Sequence, residues 1–246
     1  SALCDYFYEQ VRALKGERAR EQFVAITDAG TPLEALAGQR AFRRAFVHGP
    51  SSGLDVGGRF SALTYFGLVP AALMGLDIQQ LLSRAQAMAE ACRPSSATAA
   101  NPGAQLAAAL ALALEAGQDK ILFVGSPSRA RFGVWAEQLV AESTGKSGQG
   151  LIPIDGEPLQ GAAAYGSDRL FVELQLATEP DAALAMAVET LIKAGLPVVR
   201  LQWRDRYDLG AEVIRWFLAT AVAGWLMQIN PFDEPNVQES KDRTNA

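Results

Sequence analysis

Lys120-Ile121-Leu122-Phe123-Val124-Gly125-Ser126-Pro127-Ser128 is an apolar run that ends in a small-residue loop. Shortly after it comes Trp135-Ala136-Glu137-Gln138-Leu139-Val140-Ala141-Glu142-Ser143-Thr144-Gly145-Lys146. The first segment reads as a buried strand, and the second as a helix stopped by Gly145. Further apolar runs at 151–154, 170–174 and 197–201 read as strands, with a helix at about 181–195 between the last two. Strands that alternate with helices predict an α/β fold whose parallel sheet is covered on both faces. A long helix is expected from Leu209 to Met227, followed by a polar tail from Asn230 to Ala246.

The same pattern occurs upstream. Residues 3–20 read as an amphipathic helix, and Phe23-Val24-Ala25-Ile26 as a short strand. The strand runs into Thr27-Asp28-Ala29-Gly30-Thr31-Pro32-Leu33-Glu34, where Thr31 suits an N-cap, Pro32 a first helical residue and Glu34 a capping-box partner. Ala45-Phe46-Val47 is a second strand, and a loop then leads to Asp55-Val56-Gly57-Gly58-Arg59-Phe60-Ser61. Helices at about 62–75, 77–92 and 103–116 follow. The expected division is a first α/β domain over 1–76, connecting helices over 77–116, a second domain over 117–206, and a terminal helix and tail over 207–246.

Composition sets bounds. The chain has 246 residues, 49% hydrophobic and 20% charged, which is enough for a sizeable core. A net charge of −5 speaks against a nucleic-acid surface. Cys4 and Cys92 make no disulfide framework, which predicts a reducing, cytoplasmic setting. No apolar run is read as a membrane span; the Ala-rich stretch from Ala97 to Ala116 is broken by Asn101-Pro102-Gly103. The opening Ser1-Ala2-Leu3 lacks an initiator Met and carries no signal peptide, so the chain reads as an internal piece of a longer one.

Several residues could carry chemistry. Gln138 and Glu142 are four apart and share a helix face. Glu142 is either a solvated surface carboxylate or a general base held at a helix end. Thr27 to Glu34 is either an ordinary turn or a phosphate cradle, since it presents backbone N–H groups at a positive dipole end. Ser126 and Ser128 occupy a comparable loop. Gly57 and Gly58 would let the backbone approach a ligand closely, holding Arg59 beside it; otherwise Arg59 is solvated. His48 reads as a loop residue rather than a ligand. No metal cluster, cofactor fingerprint or Cys–His pairing is visible.

Taken together and in order, these segments resemble the glucose-6-phosphate isomerase family, most closely the isomerase portion of bifunctional transaldolase/glucose-6-phosphate isomerases. Asp55 to Ser61 is similar to the family's Gly-Gly-Arg-aromatic-Ser signature. Gln138 to Lys146 is similar to its Glu-Ser-x-Gly-Lys segment. Asn230-Pro231-Phe232-Asp233-Glu234-Pro235-Asn236-Val237-Gln238-Glu239-Ser240-Lys241 is similar to the tail in which a Lys follows Phe-Asp by eight residues. Thr27 to Glu34 resembles the loop that binds the sugar phosphate.

The resemblance implies two sugar-isomerase (SIS)-type, flavodoxin-like domains, the first incomplete at its N-terminus. It implies interconversion of glucose 6-phosphate and fructose 6-phosphate through a cis-enediol(ate), without metal or cofactor. Glu142 would be the base, with Gln138 beside it, Arg59 would stabilise the enediolate, and Lys241 would assist ring opening. Thr27, Gly30 and Thr31 would hold the phosphate, with Gly57, Gly58, Ser126 and Ser128 also at the substrate. The partners implied are a sugar phosphate, other copies of the chain and an upstream transaldolase domain, with no nucleic acid and no membrane.

Two positions depart from the family pattern. Asp28 replaces a Lys, so it either points away or weakens phosphate binding. Asp168, in Tyr165-Gly166-Ser167-Asp168-Arg169, stands where most members place a His. Ring opening then falls to Asp168 with Lys241, or to spontaneous anomerisation. The alternatives to an isomerase are a non-catalytic sugar-phosphate-binding module and an inactive fragment of a larger enzyme. Phe232 and Val237 are expected to anchor the tail so that Lys241 is held.

Overall fold

A parallel strand buried on both faces must be apolar along its whole length. Strands β3 (Lys120–Gly125) and β5 (Arg169–Leu176) largely meet that requirement: Ile121 through Val124 and Leu170 through Val172 are apolar and buried, and the buried Glu173 of β5 is paired with Arg200 at 2.8 Å. They form the centre of a parallel sheet in the order β4-β3-β5-β6, with β4 spanning Ile152–Ile154 and β6 spanning Val198–Trp203. The register pairs Lys120 with Arg169 and Phe171 with Val198. A computed structural model describes residues 2–49, 56–95, 97–127, 130–233 and 243. It divides into two units, Ser1–Leu76 and Asp77–Ala246.

In the second unit, alternate β3 side chains point to opposite layers. Leu122 and Val124 cluster with Phe171, and with Val188 and Leu191 of helix α7 (Ala182–Lys193). Phe123 points the other way and meets Trp216 of α8 (Asp208–Leu226), with ring centroids 5.4 Å apart. Helices α4 (Ile78–Ala91) and α5 (Pro102–Glu115) pack chiefly on α8, so the helices expected to connect domains lie inside this unit. Helix α6 (Ala130–Thr144) packs on β4 and α8. Local chemistry sets several helix starts. Asp77, Asn101 and Asp181 each accept an N–H from three residues on, at 3.0, 3.0 and 2.9 Å. Close contact of α4 and α8 depends on Gly210, where a Cβ would sit 2.2 Å from the Leu81 carbonyl oxygen.

Helix α8 corrects one expectation, because by length and composition it is apolar enough to cross a membrane. Half of that apolar window is buried within the unit. Its buried face also carries charge. Asp208 accepts Arg84 Nη1 at 3.0 Å and the Arg204 backbone N–H at 2.7 Å. Glu212 is 1% exposed and pairs with Arg215 Nη1 at 3.0 Å.

The first unit contains α1 (Ala2–Lys15), β1 (Val24–Asp28), α2 (Pro32–Gln39), β2 (Arg44–His48) and α3 (Tyr65–Leu73). The first helix is shorter than the 3–20 expected. Gly16 takes φ +57°, and the chain continues as a 3₁₀ turn over Gly16–Gln22. Strands β1 and β2 pair in parallel from Val24–Arg44 to Asp28–His48. His48 is therefore the buried last residue of a strand and not a loop residue.

Burial raises the Glu212 carboxyl to about 7, while Arg215 and the nearby Trp216 and Trp203 indoles favour the ionised form without completing a bond to Oε2. The unfolded chain ionises this group at the ordinary value of 4.5, so the folded state holds the proton longer. Stability from this group is therefore full below pH 4.5 and falls as pH rises through about 7. Chemical denaturation at pH 5 and pH 8 should show a pH-dependent loss on the order of 3 kcal/mol. Glu212→Gln should remove that component; an identical pH dependence in the variant would assign it to other groups.

Candidate active site

The last turn of α6 presents Glu142. Gln138 Nε2 donates to Glu142 Oε1 at 3.3 Å, as their spacing predicts. Ser143 and Thr144, which follow, are buried, and Thr144 fixes this turn from below. Thr144 Oγ1 donates to the Val140 carbonyl at 2.8 Å and accepts the Leu151 N–H at 2.9 Å. The chain then reverses over 145–150, where the Lys146 N–H donates to Gln149 O at 2.9 Å and the Gln149 N–H donates to Lys146 O at 3.1 Å. A Cβ on Gly150 would lie 2.7 Å from Gly145 Cα, so the two glycines sit back to back.

The Lys146 side chain turns inward from this reversal. Its ammonium donates to the backbone oxygens of Asn230 and Asp233 and to the Asp233 carboxylate. Gln149 Nε2 donates to Met227 O at 3.2 Å. Pro231 is buried against Gly224, whereas Phe232 is 61% exposed. Phe232 is therefore not the apolar anchor expected of it; Pro231 and Lys146 hold the start of the tail. Val237 and Lys241 lie outside the described residues.

In the first unit, the Thr27–Glu34 turn forms as its sequence indicates. Thr31 caps α2 by accepting the Glu34 N–H at 3.3 Å, and Thr27 Oγ1 lies 2.6 Å from Thr31 Oγ1. The Gly30 N–H, however, donates to the Glu34 carboxylate at 2.7 Å. The chain's own anion thus occupies the donor that the phosphate reading assigns to a ligand. Asp28 is 62% exposed and its Oδ1 stands 3.7 Å from His48 Nδ1.

The Gly57-Gly58-Arg59 segment opens a 3₁₀ turn over Gly58–Phe60, with the Arg59 guanidinium 5.2 Å from the centre of the Phe60 ring. Arg59 is 1% exposed, which removes the solvated alternative. The turn is secured on its far side. Ser61 Oγ donates to Gly58 O at 2.7 Å, Thr64 Oγ1 to Ser61 O at 2.7 Å, and the Tyr65 N–H to His48 Nε2 at 3.2 Å. His48 also stacks on Phe66 at 5.2 Å. Its role is to fix the start of α3 beside the Arg59 turn, which sequence alone did not indicate.

Two expected site residues are used elsewhere. Ser126 is buried; its hydroxyl donates to Glu179 O at 3.3 Å and accepts the Leu176 N–H at 3.4 Å, stitching β3 to β5. It is not available to a substrate. Asp168 precedes β5 at the opposite end of the sheet and pairs with Lys120 at 2.9 Å. The hydrogen bond from Lys120 holds its carboxyl below the ordinary value, and this ion pair at the start of β5 is the contact the structure gives it. Ser128 lies outside the described residues. Among the described residues, no group of His, Cys, Asp and Glu is placed to hold a metal ion.

No family model matches the chain. It is 30% identical to the glucose-6-phosphate isomerase of Heliobacterium modesticaldum, over 92% of this chain and 58% of that enzyme. It is also 30% identical to the glucose-6-phosphate isomerase of Symbiobacterium thermophilum, over 94% of this chain and 58% of that enzyme. The chain thus spans about three fifths of the length of these curated relatives. Among solved structures it matches a hypothetical protein from Thermus thermophilus with a TM-score of 0.86 at 25% identity, covering 99% of this chain and 67% of that one. A glucose-6-phosphate isomerase from Chlamydia trachomatis matches with a TM-score of 0.72 at 18% identity, over 98% of this chain and 55% of that one, a likeness of fold. The chain is homologous to the glucose-6-phosphate isomerases, and its α/β fold with parallel sheets is of their kind.

The turn below Glu142 depends on Thr144. Thr144→Val keeps the shape but leaves the buried Leu151 N–H without its acceptor, at a cost of about 1–3 kcal/mol. Thermal unfolding should show a lower midpoint, and an unchanged midpoint would mean that the turn is held by its glycines alone.

Proposed function

We propose that this chain carries the proton-transfer site of an aldose–ketose isomerase acting on glucose 6-phosphate and fructose 6-phosphate. The observation that supports it most is the Gln138–Glu142 pair on a helix end braced from below, in a chain homologous to enzymes of that name over 92% of its length. The reaction moves a proton between C2 and C1 of the open-chain sugar. A single carboxylate can take it from one carbon and return it to the other. Glu142 performs both transfers, and the amide of Gln138 limits its rotamers.

As the proton leaves, negative charge grows on the enediolate oxygens. A guanidinium already removed from water stabilises that charge with little reorganisation. Arg59 has this character, and the His48–Tyr65 and Ser61–Gly58 bonds keep its turn in place. Thr27, Gly30 and Thr31 take the phosphate when the Glu34 carboxylate swings out of the way. Lys241 donates to the ring oxygen during opening, alone now that Asp168 is committed to Lys120.

The Glu34–Gly30 contact also favours the second reading, a sugar-phosphate-binding module whose loop is shielded until ligand arrives. Turnover separates the two. In the full-length polypeptide, Glu142→Gln should lower kcat by about 10²–10⁴ and leave 6-phosphogluconate affinity nearly unchanged. Near-normal turnover in that variant would remove Glu142 from the base role. The loop has its own test. Glu34→Gln takes a negative charge from beside the phosphate and should tighten 6-phosphogluconate binding by about 2- to 10-fold in calorimetry. Affinity unmoved by Glu34→Gln and by Thr31→Val would place the phosphate elsewhere.

A further inference from the structure

We propose that His48 is a positioning residue: its ring ties the Thr27–Thr31 loop to the Arg59 turn, drawing the Asp28 carboxylate away from the phosphate while it braces the start of α3. The proposal rests on the isomerase reading above and lies within the first unit. His48 pairs with Asp28 in the parallel register of β1 and β2, so the two side chains share one face of the sheet. Thr27, one residue earlier, points to the other face, and its hydroxyl lies 2.6 Å from that of Thr31. The register therefore separates the Asp28 charge from the hydroxyls assigned to the phosphate. The His48 carbonyl also accepts the Ala29 N–H at 2.8 Å, which continues the pairing into the loop.

The contacts of the ring select its tautomer. Nε2 accepts the Tyr65 N–H at 3.2 Å, so in the neutral imidazole the proton sits on Nδ1. Nδ1 is buried without a hydrogen-bond partner, and Asp28 Oδ1 stands 3.7 Å from it. A rotation of the exposed Asp28 side chain can close that gap. The ring has no comparable freedom, since it is enclosed with Tyr65 and Phe66 at centroid distances of 4.9 and 5.2 Å. A phosphate entering the loop repels the Asp28 carboxylate, and the Nδ1–H is the buried donor that receives it. The same ring cannot shift without loosening Tyr65, the first residue of α3. That helix start is tied through Thr64 to Ser61, and through Ser61 to Gly58 at the head of the Arg59 turn. One side chain thus links the loop assigned to the phosphate with the guanidinium assigned to the enediolate.

The test uses the full-length polypeptide with His48→Gln, His48→Asn and Asp28→Asn. The readouts are imidazole nitrogen NMR shifts, 6-phosphogluconate calorimetry and steady-state rates on fructose 6-phosphate. At pH 8 the His48 signal, identified by its loss in His48→Gln, should show a protonated Nδ1 and a bare Nε2. His48→Gln keeps an acceptor near the Nε2 position and loses the donor that faces Asp28. It should weaken 6-phosphogluconate binding by about 2- to 10-fold and lower kcat by a smaller factor. His48→Asn keeps a donor near the Nδ1 position and loses the acceptor for Tyr65. It should lower kcat by about tenfold or more and weaken binding by a smaller factor. Asp28→Asn should tighten binding by about 2- to 10-fold, and in that background His48→Gln should no longer weaken it. A proton on Nε2 would overturn the proposal. So would equal effects of the two His48 variants on affinity and on kcat, since a merely structural ring behaves in that way. A loss of affinity in His48→Gln that persists in full with Asp28→Asn would overturn the link to Asp28. If His48→Asn does not fold, the imidazole shifts and the Asp28→Asn background carry the decision. Absence of isomerisation in the unaltered protein would overturn the isomerase reading, and the shifts with the calorimetry would then decide the role of His48.

Discussion

Strands β3 and β5 have no face that water can reach, and the rest of the second unit follows from that constraint. A sheet with two dry faces needs a helical layer on each. Helix α7 covers Leu122, Val124 and Phe171, while Trp216 of α8 covers Phe123 on the other side. Helix α6 leaves β3 and returns along the sheet to β4, which fixes the point at which it must end. The carboxylate of Glu142 stands at that end. Its placement is a consequence of covering the sheet, refined by Thr144 and the turn beneath it.

Polar groups inside this unit are few and mostly satisfied. Ser126 bridges neighbouring strand ends, Thr144 bridges a helix to the following strand, and Asp208 gathers Arg84 and Arg204 between α4, α8 and the end of β6. Each replaces a turn or helix end that would otherwise leave backbone groups dry and unpaired. Glu212 Oε2 has no hydrogen-bond partner in the core, nor have the Trp203 and Trp216 indole N–H groups and the Thr220 hydroxyl, and the Glu212 carboxyl titrates near neutrality. The core therefore tolerates one group whose charge state depends on the medium.

Local chemistry made much of this legible in the sequence. Apolar runs marked the strands, Asn101-Pro102 marked the start of α5, and the Thr31-Pro32-Leu33-Glu34 order marked the capped start of α2. The Gln138–Glu142 contact also followed from spacing. What stayed hidden depends on groups distant in sequence. Ser126 resembled a loop donor, yet Leu176 and Glu179 claim its hydroxyl from 50 and 53 residues away. Asp168 resembled a reacting group until Lys120 was found beside it. His48 precedes a Gly-Pro pair, which suggested a loop, but pairing with Asp28 extends β2 through it. Phe232 was the natural apolar anchor by type, although Pro231 is the residue that packs on Gly224.

The back-to-back glycines of the 145–150 turn have a bearing on how this segment can drift over generations. A side chain at Gly145 would press on the Ala141 carbonyl oxygen at 2.8 Å, and one at Gly150 would press on Gly145 itself. Neither obstacle is the tip of a flexible side chain, so no rotamer change relieves it. Ser147, between them, adopts φ +55°, where glycine or asparagine would be more comfortable than serine. Random variation should therefore pass through codon 147 and stall at codons 145 and 150. An insertion would be harsher still, because one added residue would carry Lys146 out of step with Asn230 and Asp233. The loop is short of freedom in length as well as in composition, unlike most surface connections.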